Sequence, residues 1–227
     1  MSFSDLASRL LDVRDRIGAA QRRGGHGQSV RIVAVTKTHG ADAVDAAASC
    51  GVGDVGENKV QEALDKMPLA RASVRWHLIG HLQRNKAKAA PQFSLVHSLD
   101  SVRLADALQS AAAQSQRVLD VLVQVNVASE EQKSGIAVTD VDALATHVAS
   151  LGALRICGVM CLAPFTDDEA RLRRTFAGAR AALAQVRAAG HQDAKELSMG
   201  MSNDYEVAVE EGATLVRLGT VLFGARI

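Results

Sequence analysis

Eight short runs of β-branched and aliphatic residues alternate with segments of helical character, and this alternation constrains the fold more than any other feature of the chain. The runs are RIVAVTK, GDVGE, WHLIG, SLVHS, VLDVLVQVNV, ALRICGVMCL, KELSMGM and TLVRLGTVLFGA. Between them lie ADAVDAAASC, NKVQEALDKM, the short LQRNKAK, VRLADALQSAAAQ, VTDVDALATHVASL, DDEARLRRTFAGARAALAQVRAA and NDYEVAVEEG. Strands separated by helices pair in parallel through crossovers, so the pattern predicts a parallel sheet with helices outside it. Eight such strands within 227 residues predict a single closed α/β barrel, a (β/α)8 TIM-type fold, with an open doubly wound sheet as the structural rival. No linker or low-complexity tract marks a boundary, so residues 1–227 read as one domain. Ahead of the first strand, Leu6, Leu10, Val13 and Ile17 recur at helical spacing and RRGGHG ends the pattern. This predicts an extra N-terminal helix within residues 1–28, packed on the barrel.

Charge and composition exclude several classes of function. Lys and Arg total 26 against 25 Asp and Glu, so no net field draws the chain to nucleic acid or an anionic membrane, and any phosphate must be bound locally. Aromatic residues make up 3% of a chain that is 48% hydrophobic, which suits helix-on-strand packing and not a platform for stacking bases. Cys50, Cys157 and Cys161 form no CxxC pair, and no secretory leader or long apolar span is visible. The expectation is a reduced, cytoplasmic protein that does not enter a membrane.

In either parallel architecture ligands gather at the carboxyl ends of the strands. Those transitions carry Lys37, Glu57 and Asn58, His77, His97 and Ser98, Asn126, Met160 and Cys161, Ser198 and Met199, and Arg217, Gly219 and Thr220. The prediction is a polar ring on an apolar scaffold. Lys37 is open to two readings, an ammonium that reaches back to water or an amine that does chemistry. His77 and His81 stand at i and i+4, but in a strand that spacing does not converge on a metal. No metal site is predicted.

The last two strands are more specific. LVRLGTVLFG puts Gly219 and Thr220 directly after a buried run, and LSMGMSN ends a strand with Ser198, Gly200 and Ser202 before a helix. Such loops are the usual phosphate site of a β/α barrel, although ordinary turn and cap chemistry uses the same residues. In a closed barrel the first and eighth strands are neighbours, so Lys37 would share the mouth with these loops. A phosphorylated aldehyde such as pyridoxal 5'-phosphate suits both, its anion in the loops and its aldehyde at the amine. Arg217 would then approach the pyridine nitrogen. Because guanidinium only donates, that nitrogen would be unprotonated and the ring a weaker electron sink.

These blocks resemble a known family. AVTKTHG, GENKVQEALDK, WHLIGHLQRNKAK, VHSLDS, VNVASEEQKSGI and ELSMGMSNDYEVAVEEGATLVRLGTVLFGAR are similar, in order and over nearly the whole chain, to the YggS/PROSC pyridoxal phosphate homeostasis proteins. The resemblance implies a barrel like the N-terminal domain of alanine racemase (PLP fold type III), monomeric or weakly associating and without the second, β-rich domain of that enzyme. It implies that Lys37 carries the cofactor as an internal aldimine and that Arg217 lies by the ring nitrogen. Asn58 is implied near the cofactor, with Ser198, Ser202, Gly219 and Thr220 around its phosphate. The chain departs from the family pattern at Gly40, where proline is frequent, and at Lys59, where tyrosine is. Lys133 and Ser134 are expected on a mouth loop exposed to solvent.

Three functions compete on these residues. The first is reversible binding of pyridoxal phosphate, for storage, buffering or delivery to apo-enzymes that depend on it. The second is a pyridoxal-phosphate enzyme such as an amino-acid racemase, which needs a second base opposite the lysine. The one tyrosine, Tyr205, lies in NDYEVAVEEG, where packing is the expected role. The third is a cofactor-free aldolase with Lys37 as its Schiff-base lysine. The absence of an accessory domain and of an evident acid/base pair favours the first.

Overall fold

A computed structural model describes residues 3–128 and 134–224. Eight parallel strands close into a barrel in sequence order: β1 (Arg31–Val35), β2 (Asp54–Glu57), β3 (Arg75–Leu78), β4 (Leu95–Leu99), β5 (Leu119–Val125), β6 (Leu154–Cys161), β7 (Glu196–Ser198) and β8 (Leu215–Leu218). Closure is made by β1 against β8, with Val33 opposite Arg217 and Ala34 opposite Leu218. The doubly wound alternative is thereby excluded.

Helices α2 (Ala41–Ser49), α3 (Val60–Lys66), α4 (Val102–Gln114), α5 (Val141–Ala149), α6 (Glu169–Ala188) and α7 (Tyr205–Glu210) join successive strands, and α8 (Thr220–Phe223) follows β8. The crossover between β3 and β4 is the exception. Where the sequence suggests a short turn of helix, residues Arg84–Gln92 form a 3-10 segment that contains Pro91, which lacks the N–H a continued α-helix needs.

The helix before the barrel is α1 (Leu6–Gly24), with Leu6, Leu10, Val13, Ile17 and Ala20 buried along one face. It ends at Gly25, whose φ of 68° and N–H bond to the Gln21 carbonyl make a left-handed cap. The helix lies on α7 and α8, held by Arg16 to Glu206, Arg23 to Glu210, and Arg9 to the Leu222 carbonyl at 3.3 Å. Among the described residues no helix is long and apolar enough to cross a membrane.

Side chains alternate across each strand, so every second residue faces the barrel interior. Val33, Leu95, Leu122, Met160 and Leu215 fill that interior, and the outward set packs beneath the helices. The seventh strand is shorter than KELSMGM suggests. Met199 still donates its N–H to the Leu215 carbonyl at 3.1 Å, but Gly200 turns the chain at φ 91°, which glycine adopts at little cost.

Candidate functional site

The inward parity of β1 runs Val33, Val35, Lys37, and that of β8 runs Leu215, Arg217, Gly219; both sequences emerge in one cavity at the carboxyl ends of the strands. Its volume is about 680 Å³, and Lys37, Asn58, Ser202, Arg217, Gly219 and Thr220 all line it. Six of the seven residues singled out from the sequence therefore converge. Ser134 also reaches the wall, while Lys133 lies outside the described residues. A smaller cavity of about 390 Å³ lies at the amino ends of the strands beside α1, lined by Arg31, Asp54 and Arg75 among others.

Lys37 sits two residues beyond β1 on a loop anchored from the outer face of the barrel. The buried Lys66 ammonium donates to the Thr36 carbonyl at 2.9 Å and to Glu57 Oε1 at 2.6 Å. The Thr36 hydroxyl donates to the same carboxylate oxygen at 2.6 Å. On the other side of Lys37, the Thr38 N–H reaches Glu62 Oε1 at 2.5 Å, and Thr38 holds φ at 68°, a strained value for a β-branched residue. Glu57, counted from the sequence among the residues of the mouth, thus points outward; burial pushes its carboxyl up even beside Lys66.

Asn58 and Gly80 meet back to back. A Cβ on Gly80 would lie 2.2 Å from the Asn58 carbonyl oxygen, so only glycine lets the loop after β3 close against Asn58. Gly40, at the proline position, has φ −75°, a value that proline itself adopts.

Arg217 is 4% exposed, and its side-chain bonds go to the Ser198 hydroxyl at 2.6 Å and the Cys161 carbonyl at 2.9 Å. Both partners are uncharged. Burial pushes the guanidinium pKa down, yet arginine stays protonated in proteins, so a buried cation with donors to spare faces the cavity. Ser198 does not join the loops of the mouth. It is fully buried and committed to Arg217 and to His97 Nδ1, 2.9 Å away, so it supports the cavity from beneath. His77 and His97 are likewise not at the mouth. Their rings meet inside the barrel, Nδ1 of His77 against Nε2 of His97 at 2.9 Å, because strand stagger sets both below the rim. His81 does stand on the cavity wall, 3.3 Å from Asp100.

The loops after β7 and β8 are tied together. The Val221 N–H donates to the Ser202 hydroxyl at 3.3 Å, and the Arg217 N–H to the Gly200 carbonyl at 3.0 Å. Asp204 shapes the first loop by accepting from the Met201 N–H at 2.6 Å. Residues that the strand pattern could not reveal complete the wall: Ile79 and Gln124, then Leu162, Pro164 and Phe165 from the loop after β6. Met160 belongs instead to the apolar interior, Cys161 faces outward and is buried, and Tyr205 packs against Arg16 of α1 at 5.6 Å. Among the described residues no cluster of metal-ligating side chains is found.

The donor set fits a ligand with an anionic group, a neutral acceptor for Arg217 and an electrophile for an amine. Comparison with known proteins points to the same chemistry. Residues 10–227 match the family described as alanine racemase, N-terminal domain. The chain is 42% identical to the pyridoxal phosphate homeostasis protein of Pseudomonas aeruginosa, covering 99% of this chain and 97% of that one. It is 39% identical to the protein of the same name from Escherichia coli, covering 99% and 98%. Among solved structures, PipY of Synechococcus elongatus with PLP bound superposes with a TM-score of 0.83 at 35% identity, over 96% of this chain and 100% of that one. Alanine racemase from Corynebacterium glutamicum shares the fold, with a TM-score of 0.77 at 16% identity, and this chain covers 62% of it.

Proposed function

The chain belongs to the pyridoxal phosphate homeostasis protein family, and from that premise we propose that it binds pyridoxal 5'-phosphate in the mouth cavity and takes part in keeping the intracellular supply of this cofactor. The observation that carries the proposal is the meeting of Lys37, Arg217 and the Ser202, Gly219 and Thr220 loops in one cavity.

When bound, the cofactor supplies an aldehyde that an amine can capture with loss of water, a bond that water later reverses. The chain's own residues would do the rest. Lys37 would offer the amine that captures the aldehyde. Arg217 would donate to the ring nitrogen and, holding a proton it does not give up, would take that nitrogen as an acceptor. Ser202, Gly219 and Thr220 would bound the phosphate, and Asn58 would stand beside the ring in the same cavity. An acceptor nitrogen makes a weak electron sink, so the arrangement favours holding the aldehyde over driving carbanion chemistry.

Tyr205 supports the same view, since it packs beneath α1 and not in the cavity. Storage and delivery, with apo-enzymes that need the cofactor as recipients, is therefore preferred to racemisation. We place this function in a cytoplasmic monomer.

Borohydride reduction of the protein loaded with cofactor, followed by peptide mass mapping, tests the proposal. The expected result is a single stable adduct on Lys37, with loss of the aldimine absorbance band on reduction. An adduct confined to another lysine, or no absorbance change on loading, would overturn it.

A further inference from the structure

A single file of buried side chains crosses the barrel interior from its base to the cavity. Asp54 accepts from Arg75 through both oxygens, at 2.7 and 2.6 Å, and its Oδ1 lies 2.8 Å from His77 Nε2. His77 Nδ1 meets His97 Nε2, His97 Nδ1 meets the Ser198 hydroxyl, and that hydroxyl accepts from Arg217. Asp54, His77, His97, Ser198 and Arg217 are all buried, none more than 4% exposed.

The chemistry of the two ends dictates where every proton lies. Arg217 can only donate, so Ser198 accepts that bond, and among the described residues the acceptor shown for its own O–H is His97 Nδ1. His97 then carries its proton on Nε2 and gives it to His77 Nδ1, and His77 carries its proton on Nε2 and gives it to Asp54. Each bond holds one proton and each imidazole is neutral. Burial, with the charges of Arg217 and Arg31 behind it, holds His97 well below the usual histidine range, in keeping with this arrangement. The Asp54 carboxyl is pushed up by burial but held below the usual range by the hydrogen bonds it accepts from His77 and Arg75, so the acceptor end stays ionised.

Resting on the function proposed above, we propose that His97 and His77 are positioning residues for Arg217: the directed file anchors the guanidinium to a fixed carboxylate at the barrel base and so sets how strongly Arg217 holds the ring nitrogen. Neither histidine touches the cofactor, and both act through Ser198.

The test uses two ligands, pyridoxal 5'-phosphate and its analogue with carbon in place of the ring nitrogen, titrated by absorbance into the full chain freed of cofactor. The parent protein is expected to favour the nitrogen compound by about tenfold to a hundredfold, the typical worth of one hydrogen bond to a charged group. His97→Phe removes both ring nitrogens and is expected to bring that ratio close to one while leaving affinity for the carbon analogue unchanged. His97→Gln, which retains a donor and an acceptor, is expected to restore part of it. A parent that does not discriminate refutes the reading of Arg217 against the ring nitrogen, and the inference falls with it. A parent and a His97→Phe variant that discriminate equally refute the positioning role alone. Should His97→Phe not fold, nitrogen-15 NMR of the parent histidines decides: both rings protonated on Nε2 supports the file, and an Nδ1-protonated ring at either position overturns it.

Discussion

Lys66→Met removes an ammonium from a site where it is 6% exposed and its main partner, Glu57, is 0% exposed. The carboxylate left behind keeps the Thr36 hydroxyl as a neutral donor. Breaking a buried pair from one side costs about 3–5 kcal/mol. The stranded carboxylate has one way out, which is to take a proton. From an unfolded-state pKa of about 4.3, that costs about 3.7 kcal/mol at pH 7 and about 1.4 kcal/mol less for each pH unit below it. The penalty should therefore lie near 3–4 kcal/mol at pH 7, a fall in Tm of about 6–16 °C for a chain of this size, and shrink to about 1 kcal/mol at pH 5. Urea unfolding of the cofactor-free protein at the two pH values measures it, with Glu57→Gln and the double variant closing the cycle. The double variant should recover about 2 kcal/mol or more relative to the sum of the singles. Because Lys66 also holds the Thr36 carbonyl, cofactor affinity should fall in Lys66→Met and not in a surface control such as Lys59→Met. A penalty under about 1 kcal/mol at pH 7, or one that does not change with pH, would mean that water reaches the pair and that the burial argument is wrong.

Two further outcomes are expected. Gly80→Ala places a methyl against the Asn58 carbonyl, where a Cβ would come within 2.2 Å, so the loop must open; calorimetric titration should show pyridoxal phosphate binding weakened about tenfold or more, and unchanged affinity would remove Asn58 from the site. The Asp54 carboxyl is depressed in the folded state, so the stability it contributes is present above about pH 4 and is lost as pH falls below that value through its folded pKa. Asp54→Asn should cost about 2–3 kcal/mol at pH 7 and flatten the acid limb of the stability profile, whereas a profile parallel to that of the parent would show that the carboxylate is not held by His77 and Arg75.

Lys37, Arg217 and Gly219 were legible in the sequence because each continues an alternating strand whose inward parity is a local property, and Thr220 follows directly on Gly219. Ser198 has the same parity but lies beneath the cavity, since parity names the face of a strand and not the height along the barrel. His77 and His97 were missed as partners for the same reason: 20 residues apart, they meet only because the staggered register of β3 and β4 sets their rings side by side. Lys66 is the last residue of α3 and is buried. Its burial depends on how that helix lies across the end of β1. Phe165 and Pro164 come from a loop without periodicity, and nothing short of the folded chain brings them to the cavity wall.

The sequence by itself therefore determined the alternation, the parallel pairing, and which side of each strand carries chemistry. All of these follow from periods of 2 and 3.6 residues and from the handedness of crossovers, which act over short stretches of chain. Closure, stagger and the interior file from Asp54 to Arg217 were decided only by the tertiary structure. They depend on how eight strands tilt to meet around one axis, and that tilt is a property of the whole sheet.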